Sequence, residues 1–181
     1  MACDLTLGYD EPCKSNIGGI DTVYFVNFGD LGTVTQVNDE ITNIGGTFSA
    51  YKYTLKGNEN TLVEAVTSDR NTGTTFYTQT LTLSLKGVSK AMNKELKLLA
   101  YGRPHIVVVD RMGNARMMGL LRGAEVTGGD TTTGGAMGDK IGYTLTLVAE
   151  EPVLANFIAS PTAADPFDGM AGATVTIVSA V

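Results

Sequence analysis

At 181 residues and 43% apolar composition, the chain suits one domain with a real core and is too apolar for a disordered protein. A net charge of −6 argues against a general nucleic-acid binder, and no apolar run approaches the roughly 18–20 residues that span a bilayer. The opening Met1-Ala2-Cys3-Asp4 lacks the basic and apolar regions of a secretory signal, so a protein kept in the cytosol is expected.

Residues 1–20 carry turn formers (Gly8, Asp10, Pro12, Gly18-Gly19) and weak periodicity, and read as an N-terminal arm. Cys3 and Cys13 lie within it. Two thiols with no histidine nearby do not make a four-ligand zinc site. They read as free thiols in a reducing compartment, with a short-loop disulfide as the other reading. Residues 22–28, rich in Val, Tyr and Phe, predict a strand, and one or two short strands follow within 34–44. Residues 48–56 alternate, with Tyr51, Tyr53 and Leu55 on one face. The turn signal Gly57-Asn58-Glu59-Asn60 and the return over 61–68 then predict a hairpin, and 69–73 a connector.

The pattern is clearest from residue 74 onward. Tyr77, Leu81, Leu83 and Leu85 point one way while Thr78, Thr80, Thr82 and Ser84 point the other, the two-residue period of a half-buried strand. After Gly87 the period becomes helical over 88–101, with Val88, Met92, Leu96 and Leu99 on one stripe, Ser89 as N-cap and Gly102 before Arg103-Pro104 as the stop. His105–Val109 reads as a buried strand, and Gly113-Asn114 as a hairpin turn returning through 115–121. Residues 127–140 (TGGDTTTGGAMGDK) predict a flexible Gly/Thr-rich loop. A strand over 141–149, with Ile141, Tyr143, Leu145 and Leu147 on one face, ends at Glu150-Glu151-Pro152. Residues 155–171 read as an Ala/Pro-rich connector and 173–178 as a terminal strand.

Together these elements predict a mainly β protein, an antiparallel β-sandwich or barrel with one flanking α-helix at about 88–101. The division is an arm (1–20), a core (21–150) containing the helix and the long loop, and a C-terminal extension (151–181) with a final strand.

No catalytic, cofactor or metal constellation emerges. His105 is the only histidine, so a catalytic triad or a multi-histidine metal site would rest on it alone, and it reads as a structural residue at a strand edge. Glu150 and Glu151 are adjacent and face opposite sides of a strand. Asp130 and Asp139 lack the spacing of a calcium loop, and the paired glycines at 128–129 and 134–135 are not followed by Gly-Lys-Ser/Thr. These absences argue against an enzyme.

Charge is distributed unevenly. Between Lys86 and Arg122, eight basic residues minus Glu95 and Asp110 give +6, leaving −12 elsewhere. Lys90, Lys94, Lys97 and Arg103 in this segment form either a solvated face or a basic surface that docks on the acidic surface of an identical neighbour. The threonines at 78, 80, 82, 144, 146, 174 and 176 likewise form either ordinary solvent faces or the lining of a wet interface or channel.

Three stretches carry a family resemblance: CDLTLGYDEPCKSNIGGIDTVYFVNF, QTLTLSLKGVSKAMNKELKLLAYGRPHIVVVDRMGNARMMG and GGAMGDKIGYTLTLVAEEPVLANF, about half of the chain. Their order of strands, turns and helix resembles the tail tube (major tail) proteins of tailed phages, most similar to those of phages infecting Bacteroidetes-type hosts. The resemblance implies a structural virion protein whose subunits form stacked, commonly hexameric rings around a channel for genome delivery. Its partners would be itself and other tail proteins, with DNA passing transiently and no membrane or cofactor involved. Assembly would occur in the host cytoplasm and the mature location would be the virion tail. By the same analogy, the 127–140 loop, with Gly128, Gly129, Asp130, Gly134 and Gly135, and the N-terminal segment are expected to make inter-ring contacts. Other virion roles (neck, sheath-associated or decoration protein) and a soluble ligand-binding β-sandwich module are the alternatives; the absence of tryptophan weakens a sugar-binding version of the latter.

Overall fold

Twelve strands and one helix are present among the residues described, 5, 7–162 and 164–179, in a computed structural model. In chain order they are β1 (Ile20–Val26), β2 (Val34–Val37), β3 (Glu40–Ile44), β4 (Gly46–Thr54), β5 (Thr61–Asp69), β6 (Thr74–Lys86), α1 (Lys90–Tyr101), β7 (His105–Asp110), β8 (Ala115–Met118), β9 (Glu125–Thr132), β10 (Gly142–Glu151), β11 (Asn156–Ile158) and β12 (Ala173–Ser179). They form an eight-stranded sheet, β12-β4-β1-β7-β8-β11-β3-β2, and a four-stranded sheet, β5-β6-β10-β9. Pairing is antiparallel except for β11 with β3 and β12 with β4. The molecule is a β-sandwich with one flanking helix, as the strand and helix patterns predicted.

The larger sheet is rolled. β4 and β3 stand five strand spacings apart, about 24 Å in a flat sheet. Yet only Gly45 separates the end of β3 from the start of β4, which holds their ends within about 7 Å. The roll encloses one apolar cluster, with Tyr24, Ile41, Ile44, Phe48, Val107 and Met117 among its members. A second cluster lies between the sheets, where Val23, Phe25, Ile106 and Val108 meet Leu81, Leu83 and Leu147. β1 and β7 therefore bury both faces over Val23–Val26 and Ile106–Val109, which explains the continuous apolar runs there.

The helix forms where its periodicity and cap predicted. Ser89 Oγ accepts a hydrogen bond from the Met92 N–H at 3.1 Å, and the Gly102 N–H closes on the carbonyls of Leu98 and Leu99. Met92, Leu96 and Leu99 are half-buried, whereas Val88 lies outside the helix and is exposed. The Gly113-Asn114 signal makes the β7–β8 hairpin.

Three expectations are corrected. The turn at residues 57–60 does not make a hairpin: β4 belongs to the rolled sheet, and β5 pairs with β6 through residues 70–73. Residues 57–60 instead cross between sheets, fixed by Asn60, whose Oδ1 accepts from the Ser84 N–H at 2.8 Å and whose Nδ2 donates to the Gly57 carbonyl. The predicted 127–140 loop is a strand as far as Thr132, because pairing with β10 supplies the order that its Gly/Thr sequence lacks. Ile141, placed on the inward face, is exposed and precedes β10, whereas Tyr143 and Leu147 are buried as expected.

The connector and terminal strand read over 155–178 are part of the rolled sheet: β11 lies between β8 and β3, and β12 flanks β4. Phe167 and Met170, between those strands, close the rolled core. The Phe167 ring packs edge-on against Tyr24 and Phe48 at centroid distances of 6.1 and 5.4 Å. The described residues before β1 carry no strand, and Leu5 and residues 7–19 are exposed.

Candidate functional site

The four-stranded sheet has two chemically distinct faces. Its inner face packs Leu81, Leu83 and Leu147 against the rolled sheet. Alternation and register put Thr61, Val63, Thr78, Thr80, Thr82, Thr144 and Thr146 on the opposite face, which no element among the described residues covers. The same parity places Asp69, Glu125, Asp130 and Glu150 there, against Lys86 and Lys140. The face is hydroxyl-rich and acidic.

Among the described residues, both edges of this sheet are open. β5 pairs only with β6, and β9 only with β10. Gly128, Gly129 and Asp130, expected in a loop, stand on the β9 edge, and all three are exposed. Lys97 joins them: a groove of about 380 Å³ runs between α1 and β9, floored by Leu96, Val126, Tyr143 and Leu145 and rimmed by Lys97 and Asp130. The Tyr143 hydroxyl donates to Asn93 Oδ1, which seats the helix beside the sheet.

The other predicted residues lie apart from this groove. Lys90 and Lys94 share an exposed helix stripe with Lys97, and none of the three forms an ion pair among the described residues. Arg103 lies over the Phe28 ring at 5.0 Å and within 4.0 Å of Glu125. Gly134, at φ +70°, and Gly135 form the turn after β9, where Asp139 Oδ2 accepts the N–H groups of Ala136 and Gly135 at 2.7 and 2.8 Å. Those bonds hold the Asp139 carboxyl below the usual range. Cys13 is exposed and free, and Cys3 lies outside the described residues.

The basic segment is thus split between free and engaged residues. Arg116 pairs with Glu64 at 3.4 Å, and Arg111 donates to the Gly57 carbonyl and Asn58 Oδ1 at 3.3 and 2.8 Å. The unengaged charge concentrates on the helix.

Three inward polar residues that sequence reasoning passed over tie the sheets together. Gln79 accepts from the Gly119 N–H at 3.0 Å and donates to the Val153 carbonyl. Glu151, 2% exposed, accepts the N–H groups of Leu121 and Arg122 at 2.9 and 2.8 Å, while its neighbour Glu150 faces solvent. Glu64 accepts from the Ala155 N–H at 2.7 Å. Their signal in the sequence was a polar residue on the leucine side of an alternating strand.

His105 begins β7, which lies between β1 and β8, so it is buried within the sheet and not at the strand edge read from the sequence. Nδ1 lies 2.8 Å from the Gly119 carbonyl and so carries the proton, leaving Nε2 to accept from the Gly29 N–H at 3.4 Å. Phe28 stacks on the ring at 5.0 Å. Burial pushes its pKa below the ordinary 6.5. No cluster of three or more metal-ligating side chains occurs among the described residues. No protein-family model, curated protein or solved structure matches the chain.

Proposed function

We propose that this chain is a tail tube subunit of a tailed phage, a virion protein that associates with itself into stacked, commonly six-membered rings around a DNA channel. The observation that carries the reading is the uncovered, hydroxyl-rich, acidic face of the four-stranded sheet, flanked by two open edges. The edges differ in sequence, so copies joined β5 to β9 make a head-to-tail contact, which closes into a ring when the rotation per subunit permits. Open edges of nine and eight residues would be a liability in a monomer and are an assembly surface in a ring. Facing inward, the threonines wet the channel while Asp69, Glu125, Asp130 and Glu150 repel phosphates, so DNA passes without being held.

Negative-stain electron microscopy of the purified protein, paired with its mass in solution, tests this. Rings with a central hole or tubes of constant width are the expected result. A monodisperse monomer at high concentration turns the reading toward another virion component or a ligand-binding module.

A further inference from the structure

The N-terminal arm carries apolar residues that its own domain leaves in solvent. Leu5, Leu7 and Tyr9 are 97%, 89% and 87% exposed, and Ile17 is 62% exposed. The first three alternate, the spacing that presents one apolar edge from an extended chain. The same chain carries a groove with an apolar floor between α1 and β9.

These two features lie on opposite sides of the four-stranded sheet. The arm leaves the domain at Gly18 and Gly19, beside Asn60, Thr61 and Leu62 at the start of edge strand β5. The groove borders β9, the other edge. From these positions we infer that the arm of one copy lies in the α1–β9 groove of the next copy, with Leu5, Leu7 and Tyr9 against Leu96, Val126 and Leu145. This assignment deepens the tube reading and rests on it.

Three observations favour a second copy over the arm's own domain. Within one chain no described arm residue lines the groove. Copies set β5 to β9 bring the arm of one directly to the groove of the next, whereas folding back requires crossing all four strands. Charge also matches: Asp10 and Glu11 follow Tyr9, and Lys94 and Lys97 stand on the helix bordering the groove. The ten chain steps from Tyr9 to Gly19 span up to about 33 Å, ample for the junction.

Disulfide trapping in the full chain tests the contact. Cys3→Ser and Cys13→Ser clear the background, and Leu7→Cys is combined with Thr131→Cys, an exposed groove-lining position paired with Tyr143 and so on the groove side of β9. Mild oxidation is expected to give a ladder of covalent multimers whose yield rises with protein concentration. A disulfide confined to the monomer assigns the groove to the chain's own arm and overturns the inference, as does the absence of any disulfide. A second variant, Leu5→Asp with Leu7→Asp and Tyr9→Asp, changes only exposed residues. It is expected to raise the concentration needed for ring formation by about tenfold or more. Normal tubes from that variant overturn the arm contact and leave the tube reading in place; a ladder from a protein that never forms rings does the reverse.

Discussion

The two sheets obey different rules. In the rolled sheet, Val23–Val26 of β1 and Ile106–Val109 of β7 are buried on both faces and read as unbroken apolar runs. In the four-stranded sheet, β6 keeps a strict alternation, with Leu81 and Leu83 dry on one side and Thr80 and Thr82 wet on the other. An unbroken run marks scaffold whose surroundings the chain itself completes. Alternation with threonine marks a surface left over, and in this chain it coincides with open edges. The same pattern recurs on β12 at the edge of the rolled sheet, where Thr174 and Thr176 are exposed.

Breaking the scaffold should have the largest effect. Phe167→Ala removes a ring 3% exposed that closes the rolled core, and should lower unfolding free energy by about 3–5 kcal/mol in urea titrations. An effect under 1 kcal/mol would mean that residues 159–172 are not part of that core. Next in size is the join between the sheets. Glu151→Ala leaves the Leu121 and Arg122 N–H groups without their acceptor and should cost about 2–3 kcal/mol, with Glu151→Gln recovering part of the loss.

His105 sharpens the comparison through pH. Its folded pKa lies below 6.5, so the folded state binds fewer protons than the unfolded chain. The stability it contributes is complete above the unfolded value and is lost as pH falls toward the folded one. The urea midpoint should accordingly drop between about pH 7.5 and about pH 5.5, and the drop should shrink in His105→Gln. The smallest stability effects belong to the exposed lysines and the half-buried threonines of the outer face. Lys94→Glu with Lys97→Glu, and separately Thr80→Ala, should each change stability by no more than about 0.5 kcal/mol. The lysine pair should nevertheless impair ring formation; normal assembly of that double variant would remove the charge-docking idea.

Much of this architecture could be read from the residues alone, because helix α1, the β7–β8 hairpin and the two faces of β6 depend on contacts close in sequence. The failures share a cause. Gly57-Asn58-Glu59-Asn60 has good turn chemistry, but turn chemistry does not say whether the flanking strands pair with each other, and here they enter different sheets. β9 has weak intrinsic preference and becomes a strand through β10. Phe167 and Met170 sit in an Ala/Pro-rich stretch, and only the distant Tyr24 and Phe48 give them a role. Of the candidate surface, the basic helix stripe was legible, whereas its meeting with Gly128 and Gly129 in one groove required the fold.

The placement of β11 and β12 also bears on how the chain is made. β2 and β3 reach the rest of the rolled sheet's hydrogen-bond ladder only through β11, which is synthesised more than a hundred residues after them. A nascent chain ending before residue 156 cannot complete that roll, and the residues awaiting Phe167 and Met170 stay wet while translation continues. At about 5–20 residues per second, that interval lasts seconds. Closure of the core therefore waits until residues 156–170 have been made, and a chain terminated before them would lack the closed roll.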